Sequence, residues 1–168
     1  MNGFDKYRNG EEATGNMLIS FNKARHYVLL FGVYEDAEGK WQWKKDYYGE
    51  RPTRELLKAD IDALVNAQTD EKILGGLVWR NYPVWLAQEN QMNIKAVYDF
   101  AFQTGGSLLP IRFKLGENAA GEPQYFDFDD METFGEFYSA CVEWIHSCIS
   151  AGWQEKDSVD YDSLLSNN

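Results

Sequence analysis

The sequence is poor in the residues that build metal sites and covalent cross-links. It has two cysteines and two histidines in 168 residues. Cys141 and Cys148 are seven residues apart on a predicted helix, or about 10 Å along its axis, which is too far for a disulfide within one helix. We therefore expect buried free thiols, which fit a reducing compartment. No Cys/His ligand spacing is present, so the sequence predicts no metal site and no cofactor.

Long apolar runs are also missing. No stretch reaches the length needed to cross a bilayer, and residues 1–15 are polar and lack the apolar segment of a secretory signal. Basic residues are the minority, with 16 Lys and Arg against 27 Asp and Glu, and the net charge is −11. A field of this sign repels nucleic acids and anionic membranes. We expect a protein that is kept in a cytoplasm, or assembled there into something larger, and that binds neither.

Catalytic motifs are absent as well. The sequence has no nucleophile elbow, and its glycine pairs, Gly75-Gly76 and Gly105-Gly106, lack the neighbours of a phosphate-binding loop. The acidic run 127–132 lacks the spacing of a calcium loop and is better explained as a helix start capped by Asp129. No catalytic residue is predicted, which favours a protein that is not an enzyme. A hydrolase whose carboxylates meet only on folding stays open as an alternative.

The residues that are present predict an α+β fold. Its N-terminal part is an antiparallel β meander, apolar on both faces of its second strand, and a connecting helix follows. A β-hairpin, a helix, a second β-hairpin and a long helix complete the chain. The predicted divisions are 1–52 for the meander with a flexible arm, 53–70 for the connecting helix, 71–156 for a C-terminal α+β domain, and 157–168 for an acidic polar tail that frays.

The connecting helix has a narrow apolar stripe with charged flanks. The stripe consists of Leu57, Ile61, Leu64 and Val65, and the helix is expected to end at 69–72. A helix of this kind covers something on one side only or pairs with a copy of itself. We therefore expect protein partners, including a homo-oligomer formed through helix 53–68.

Residues 76–104 form the clearest structural pattern, a hairpin leading into a helix. The helix should turn one apolar face to the hairpin and end at Gly105-Gly106, and its Gln- and Asn-rich start, 88–93, resembles a capping device more than a binding loop. That face consists of Ile94, Val97, Tyr98, Ala101 and Phe102. The long helix should end at Gly152, and its stripe consists of Phe134, Phe137, Tyr138, Cys141, Val142, Ile145, Cys148 and Ile149.

Aromatic residues are concentrated on the predicted hairpins. Rings exposed there could stack on sugars or bury a partner's side chain, although the simpler explanation is that most of them face inward. If the turn at 80–83 is short, Trp79 and Trp85 are cross-strand neighbours. The candidate binding surface consists of Trp41, Trp43, Tyr48, Trp79, Tyr82 and Trp85.

Residues 73–156 contain an ordered series of motifs: Gly76–Trp79, then Val84–Gln91 opening a helix, the Leu109-Pro110 strand, Phe126–Asp129, and a long helix closing with Trp153 and Lys156. In this order and pattern the stretch resembles a domain of unknown function at the C-terminal end of phage and prophage tail-associated, tail-fibre-like proteins. The resemblance implies a structural or assembly protein acting through protein–protein contacts, and supplies no catalytic residue. The alternative function is a glycan-binding module that uses the hairpin aromatics. Residues 1–50 are outside the resemblance.

Overall fold

The computed structural model describes residues 17–21, 26–35 and 41–166. The α+β fold and the order of its elements agree with the prediction. The strands are β1 (Met17–Phe21), β2 (His26–Glu35), β3 (Trp41–Tyr48), β4 (Leu77–Trp79), β5 (Tyr82–Val84), β6 (Ile111–Glu117) and β7 (Pro123–Phe128). The helices are α1 (Arg54–Gly75), α2 (Gln88–Gln103), α3 (Met131–Asp157) and α4 (Tyr161–Ser166). Among these described helices, none is long and apolar enough to cross a membrane.

The chain divides into two compact units. The first unit is drawn from Met1–Leu64 and Glu155–Asn168, and the second is Val65–Gln154. The first boundary falls inside α1 and the last falls inside α3, so each of these helices belongs partly to each unit.

The first unit contains an antiparallel sheet of order β1-β2-β3. Four consecutive β2 residues, Val28–Phe31, are almost wholly buried, which confirms that the central strand is covered on both faces. Tyr48 at the end of β3 is buried and its hydroxyl donates a 2.8 Å hydrogen bond to Asp60 Oδ2 on α1.

The end of the first unit is more ordered than the sequence indicated. Residues 161–166 were expected to fray, but they form α4, and Tyr161 and Leu164 on it are buried. Arg54 Nη1 forms an ion pair with Asp162 Oδ1 at a distance of 2.6 Å. Two apolar residues three apart are enough to bury one face of a short helix, and the surrounding acidic residues hid this pattern.

In the second unit, β4 and β5 form a hairpin around a two-residue turn. Arg80 and Asn81 have φ values of 46° and 69°, the backbone of a type I′ turn. Trp79 consequently pairs with Tyr82, and Leu77 pairs with Val84. The prediction that Trp79 and Trp85 are cross-strand neighbours is therefore wrong, because Trp85 lies one residue beyond the paired part of β5.

The core of the second unit is largely aromatic. Trp79 packs against Phe126 and Phe137 with ring centroids 5.0 and 5.1 Å apart, and Phe128 packs against Phe134 at 4.8 Å. These rings come from both hairpins and from α3, so the core is where the two hairpins and the long helix meet. Cys141 and Cys148 are buried free thiols, as the sequence predicted.

Three predicted helix limits are corrected. Helix α1 continues to Gly75 rather than ending at 69–72, since Glu71 and Lys72 are good helix formers. Helix α3 passes through Gly152 to Asp157, and a Cβ on Gly152 would lie 2.6 Å from Thr69 Oγ1. This glycine serves close helix packing rather than a helix end. The cap of α3 is Asp130 rather than Asp129, because Asp130 Oδ1 accepts the Thr133 N–H at 2.7 Å.

Two members of the predicted apolar stripes face solvent. Phe102 on α2 is 70% exposed, and Val142 on α3 is also exposed. Both lie at the margin of a helix face whose central residues are buried, so the covered stripe is narrower than the periodicity suggested. Helix α2 does end before Gly105 and Gly106, whose positive φ values confirm the left-handed backbone expected there.

Candidate functional site

Trp85 is held at the surface of the second unit by its own backbone. It follows β5, and its N–H donates a 2.7 Å hydrogen bond to Leu115 O on β6. Its carbonyl accepts a 2.9 Å hydrogen bond from Asn90 Nδ2 on α2. The side chain is 49% exposed. Two different elements thus position the residue while half of its indole stays open to solvent.

Trp85 lines two adjacent cavities of about 580 and 320 Å³. Both are also lined by Asn90, Lys114 and Leu115. The larger cavity extends to Pro83 and Glu117, and the smaller runs along α2 and β6. Cavities of this size accommodate small molecules or a few residues of a polymer. We call these two cavities together the Trp85 cleft.

Gly116 allows the two hairpins to approach each other in the larger cavity. A Cβ at this position would overlap the carbonyl oxygen of Pro83. Since that neighbour is backbone, it could not rotate away. The absence of a side chain therefore lets β6 lie against β5 and leaves room beside Trp85.

The charges around the cleft are mostly paired. Lys114 Nζ lies 2.7 Å from Glu117 Oε1, and this hydrogen bond raises the pKa of Lys114 above its ordinary value. The Arg112 guanidinium lies 4.9 Å from the centre of the Tyr125 ring, and its Nε is 3.7 Å from Asp127 Oδ1. The cleft therefore offers hydrogen-bonding groups without a concentrated charge of either sign.

The six aromatic residues predicted as a binding surface occupy different environments. The side chains of Trp41 and Trp43 lie outside the described residues. Tyr48 and Trp79 are buried, and Tyr82 is half-buried with its ring 5.5 Å from that of Phe126. Of the four described rings, Trp85 alone lines the cleft.

Sequence reasoning missed the other residues of the cleft. Asn90 was interpreted as part of a capping device, and it does hold the Trp85 carbonyl, but it also lines both cavities. Lys114 and Gly116 carried no signal, because the contact between β5 and β6 joins residues that are about thirty positions apart. Only the Gln- and Asn-rich start of α2 could have drawn attention to the cleft.

A second surface lies where α2 packs on α3. Tyr98 stacks on Tyr138 with centroids 4.3 Å apart and an interplanar angle of 13°, and Phe102 stacks on Tyr98 at 6.3 Å. The middle ring of this row contacts the core, since Tyr98 lies edge-on to Phe134 with ring centroids 5.4 Å apart. We call Tyr138, Tyr98 and Phe102 the aromatic row.

The described residues hold neither a metal-binding cluster nor a readily ionised thiol at Cys141. Within residues 17–21, 26–35 and 41–166, no three His, Cys, Asp or Glu side chains come together in a way that could hold a metal ion. Burial raises the pKa of the Cys141 thiol to about 12, so the reactive thiolate is strongly disfavoured.

Fold and surfaces together define an acidic α+β protein with two partly exposed aromatic features, the Trp85 cleft and the aromatic row. Comparison with protein-family models, curated proteins and solved structures finds no match for the chain.

Proposed function

We propose that the chain is a phage- or prophage-tail-associated structural or assembly protein that acts through protein–protein contacts. The observation that carries the contact role is the aromatic row, in which Tyr98 contacts the core at Phe134 and the ring of Phe102 is largely exposed. The tail context rests on the resemblance of residues 73–156. The expected location is cytoplasmic or virion-associated.

The aromatic row has the features of an interface centre. Large rings fixed by stacking lose little conformational entropy when a partner covers them, and such residues dominate the binding energy of many interfaces. The inner rings are rigidly seated, so a partner would meet a preformed surface. Phe102 would be the residue that gains most from burial, because it is the most exposed of the three.

The net charge of the second unit favours a basic partner. This unit holds twelve acidic and five basic residues. We expect a partner protein with an apolar pocket for Phe102 and a basic rim, because opposite charges guide association.

The test measures binding to defined candidates. Proteins encoded next to this chain in tail and baseplate gene clusters are purified and titrated against it by calorimetry. We expect one of them to bind and Phe102→Ala to weaken that binding by about tenfold or more, the effect of removing an interface anchor.

The matched control is Met92→Ala, which removes an exposed apolar side chain from the same helix but outside the row. It should leave the affinity unchanged. Equal losses from both substitutions, or no binding by any tail or baseplate neighbour, would contradict the proposal.

The alternative function, glycan binding, gains support from one observation. Trp85 is a half-exposed ring beside two cavities, the arrangement that stacking on a sugar requires. Tyr48 and Trp79, being buried, do not contribute to it.

A further inference from the structure

We infer that the Trp85 cleft is a binding site for a short neutral oligosaccharide. This inference rests on the alternative function, glycan binding, and deepens it by naming the ligand class. It does not depend on the assembly role, because it uses different side chains from the aromatic row and survives if no protein partner is found. It names both the residues that would hold the sugar and the chemical class of sugar that fits.

The indole of Trp85 supplies the apolar half of the recognition. A pyranose ring has a face of C–H groups, and aromatic rings with an open face bind such surfaces through burial and weak electrostatic attraction. The Trp85 backbone is fixed by hydrogen bonds to Leu115 and Asn90, so ligand binding would have to order only the side-chain torsions of the ring.

Side-chain amides supply the hydrogen-bonding part of the recognition. Asn90 uses one amide hydrogen on the Trp85 carbonyl, which leaves its Oδ1 and its other hydrogen as a neighbouring acceptor and donor. Asn93, one turn further along α2, lines the smaller cavity. Paired hydroxyl groups of a sugar match such amides because each hydroxyl both donates and accepts.

The electrostatics favour a neutral ligand over an anion. Lys114, the cation that lines both cavities, is paired with Glu117, and Arg112 is engaged with Asp127 and the Tyr125 ring. A phosphate or a uronic acid would have to compete with these carboxylates. A neutral sugar can accept hydrogen bonds from Lys114 and donate to Glu117 while their ion pair stays intact.

The shape favours several sugar units. Two cavities share Trp85, Asn90, Lys114 and Leu115, so more than one sugar unit has room beside the indole. The lining combines apolar side chains with amides and an ion pair, a mixture that suits the C–H faces and hydroxyl groups of a sugar. A peptide is therefore the competing occupant, and the experiment distinguishes the two.

The experiment uses the full chain. It is applied to an array of neutral oligosaccharides of glucose, galactose, mannose and N-acetylglucosamine, and those retained are titrated by calorimetry. Trp85→Ala should lower the affinity by at least about tenfold, and Trp85→Phe should keep part of it, because a smaller ring still stacks. Asn93→Ala should also weaken binding.

The matched control is Trp153→Ala, which removes another indole that is 58% exposed and lies on α3, outside the cleft. Near-ultraviolet circular dichroism and a thermal midpoint establish that each variant is folded. Loss of binding in the Trp85 and Asn93 variants but not in the Trp153 variant supports the inference.

Three results would overturn it. The first is retention of no neutral oligosaccharide by the array. The second is sugar binding that Trp85→Ala and Asn93→Ala leave unchanged. The third is binding of extended peptides from a random library that depends on Trp85 in the absence of any sugar binding, which would reassign the cleft to a protein ligand.

Discussion

Adjacent glycines at the end of α1 have different roles. A Cβ on Gly76 would lie 2.5 Å from Trp144 Cζ2 and 2.6 Å from the Lys72 carbonyl oxygen, whereas a Cβ on Gly75 would meet nothing within 4 Å. Of the two, Gly76 alone lies at a close approach to its neighbours.

Gly76→Ala should therefore lower the free energy of unfolding by about 1–3 kcal/mol, the usual cost of forcing an extra carbon into a packed site. Gly75→Ala is the control and should be neutral or slightly stabilising, because it restricts the unfolded chain without a clash. Urea denaturation measures both. Equal urea midpoints for the two variants would show that Trp144 can move aside without loss of stability.

Single residues also show what sequence patterns omit. Trp79 and Trp85 have the same residue type and flank the same turn, yet one lies in the core and the other at the surface. The difference comes from the two-residue turn, which sets the strand register, and from the bond between Trp85 and β6. Neither the length of a turn nor a partner thirty residues away is encoded in local periodicity.

At the level of elements, the start of α3 depends on one carboxylate. The Thr133 N–H hydrogen bond lowers the pKa of Asp130 below its ordinary value, and the carboxylate also complements the helix dipole. Because the folded state favours the charged form, the stabilisation is present above the ordinary pKa of Asp and disappears as the pH falls through the lower folded value.

Asp130→Ala should lower the urea midpoint at neutral pH and have less effect once the carboxylate is protonated in acid. Asp130→Asn should have a urea midpoint close to that of the unsubstituted protein, since an amide oxygen can also cap the helix. Asp129→Ala is the control and should change the midpoint less. If Asp129→Ala lowers the urea midpoint more than Asp130→Ala does, the cap is Asp129, the residue predicted from the sequence.

Elements were the part of the fold most accessible from sequence. The order of strands and helices followed from apolar periodicity and turn residues, and the buried strand β2 was recognised from apolar residues on both faces. Helix ends were less accessible. Gly152 resembled a stop signal, but it lies inside α3 because a glycine also permits close packing against Thr69.

For the whole molecule, self-association through α1 remains a prediction, and the structure narrows how it could occur. Leu57, Ile61 and Val65 of its apolar stripe are fully buried within the single chain. A second copy would have to contact the outward side of the helix, where Leu56 is 47% exposed.

Light scattering at high protein concentration should detect a dimer or larger species, and Leu56→Asp should shift it to monomer by adding repulsion at the contact. The control is Met92→Asp, an equal charge change on an exposed residue of α2. A monomer at every concentration would rule out the oligomer. If both variants dissociate the oligomer equally, the cause is the added net charge and not a contact through α1.

The candidate site was less predictable than the fold for a related reason. Apolar periodicity identifies elements one at a time, while the Trp85 cleft exists only where β5, β6 and α2 meet. The sequence indicated that aromatic rings were available for contact. Which ring remains open depends on long-range packing.

Gly116 affects both the packing of the two hairpins and the Trp85 cleft. The same missing side chain lets the two hairpins join and leaves the cleft open beside Trp85. Any side chain introduced at position 116 would thus disturb the junction of the two hairpins and the space beside Trp85 together.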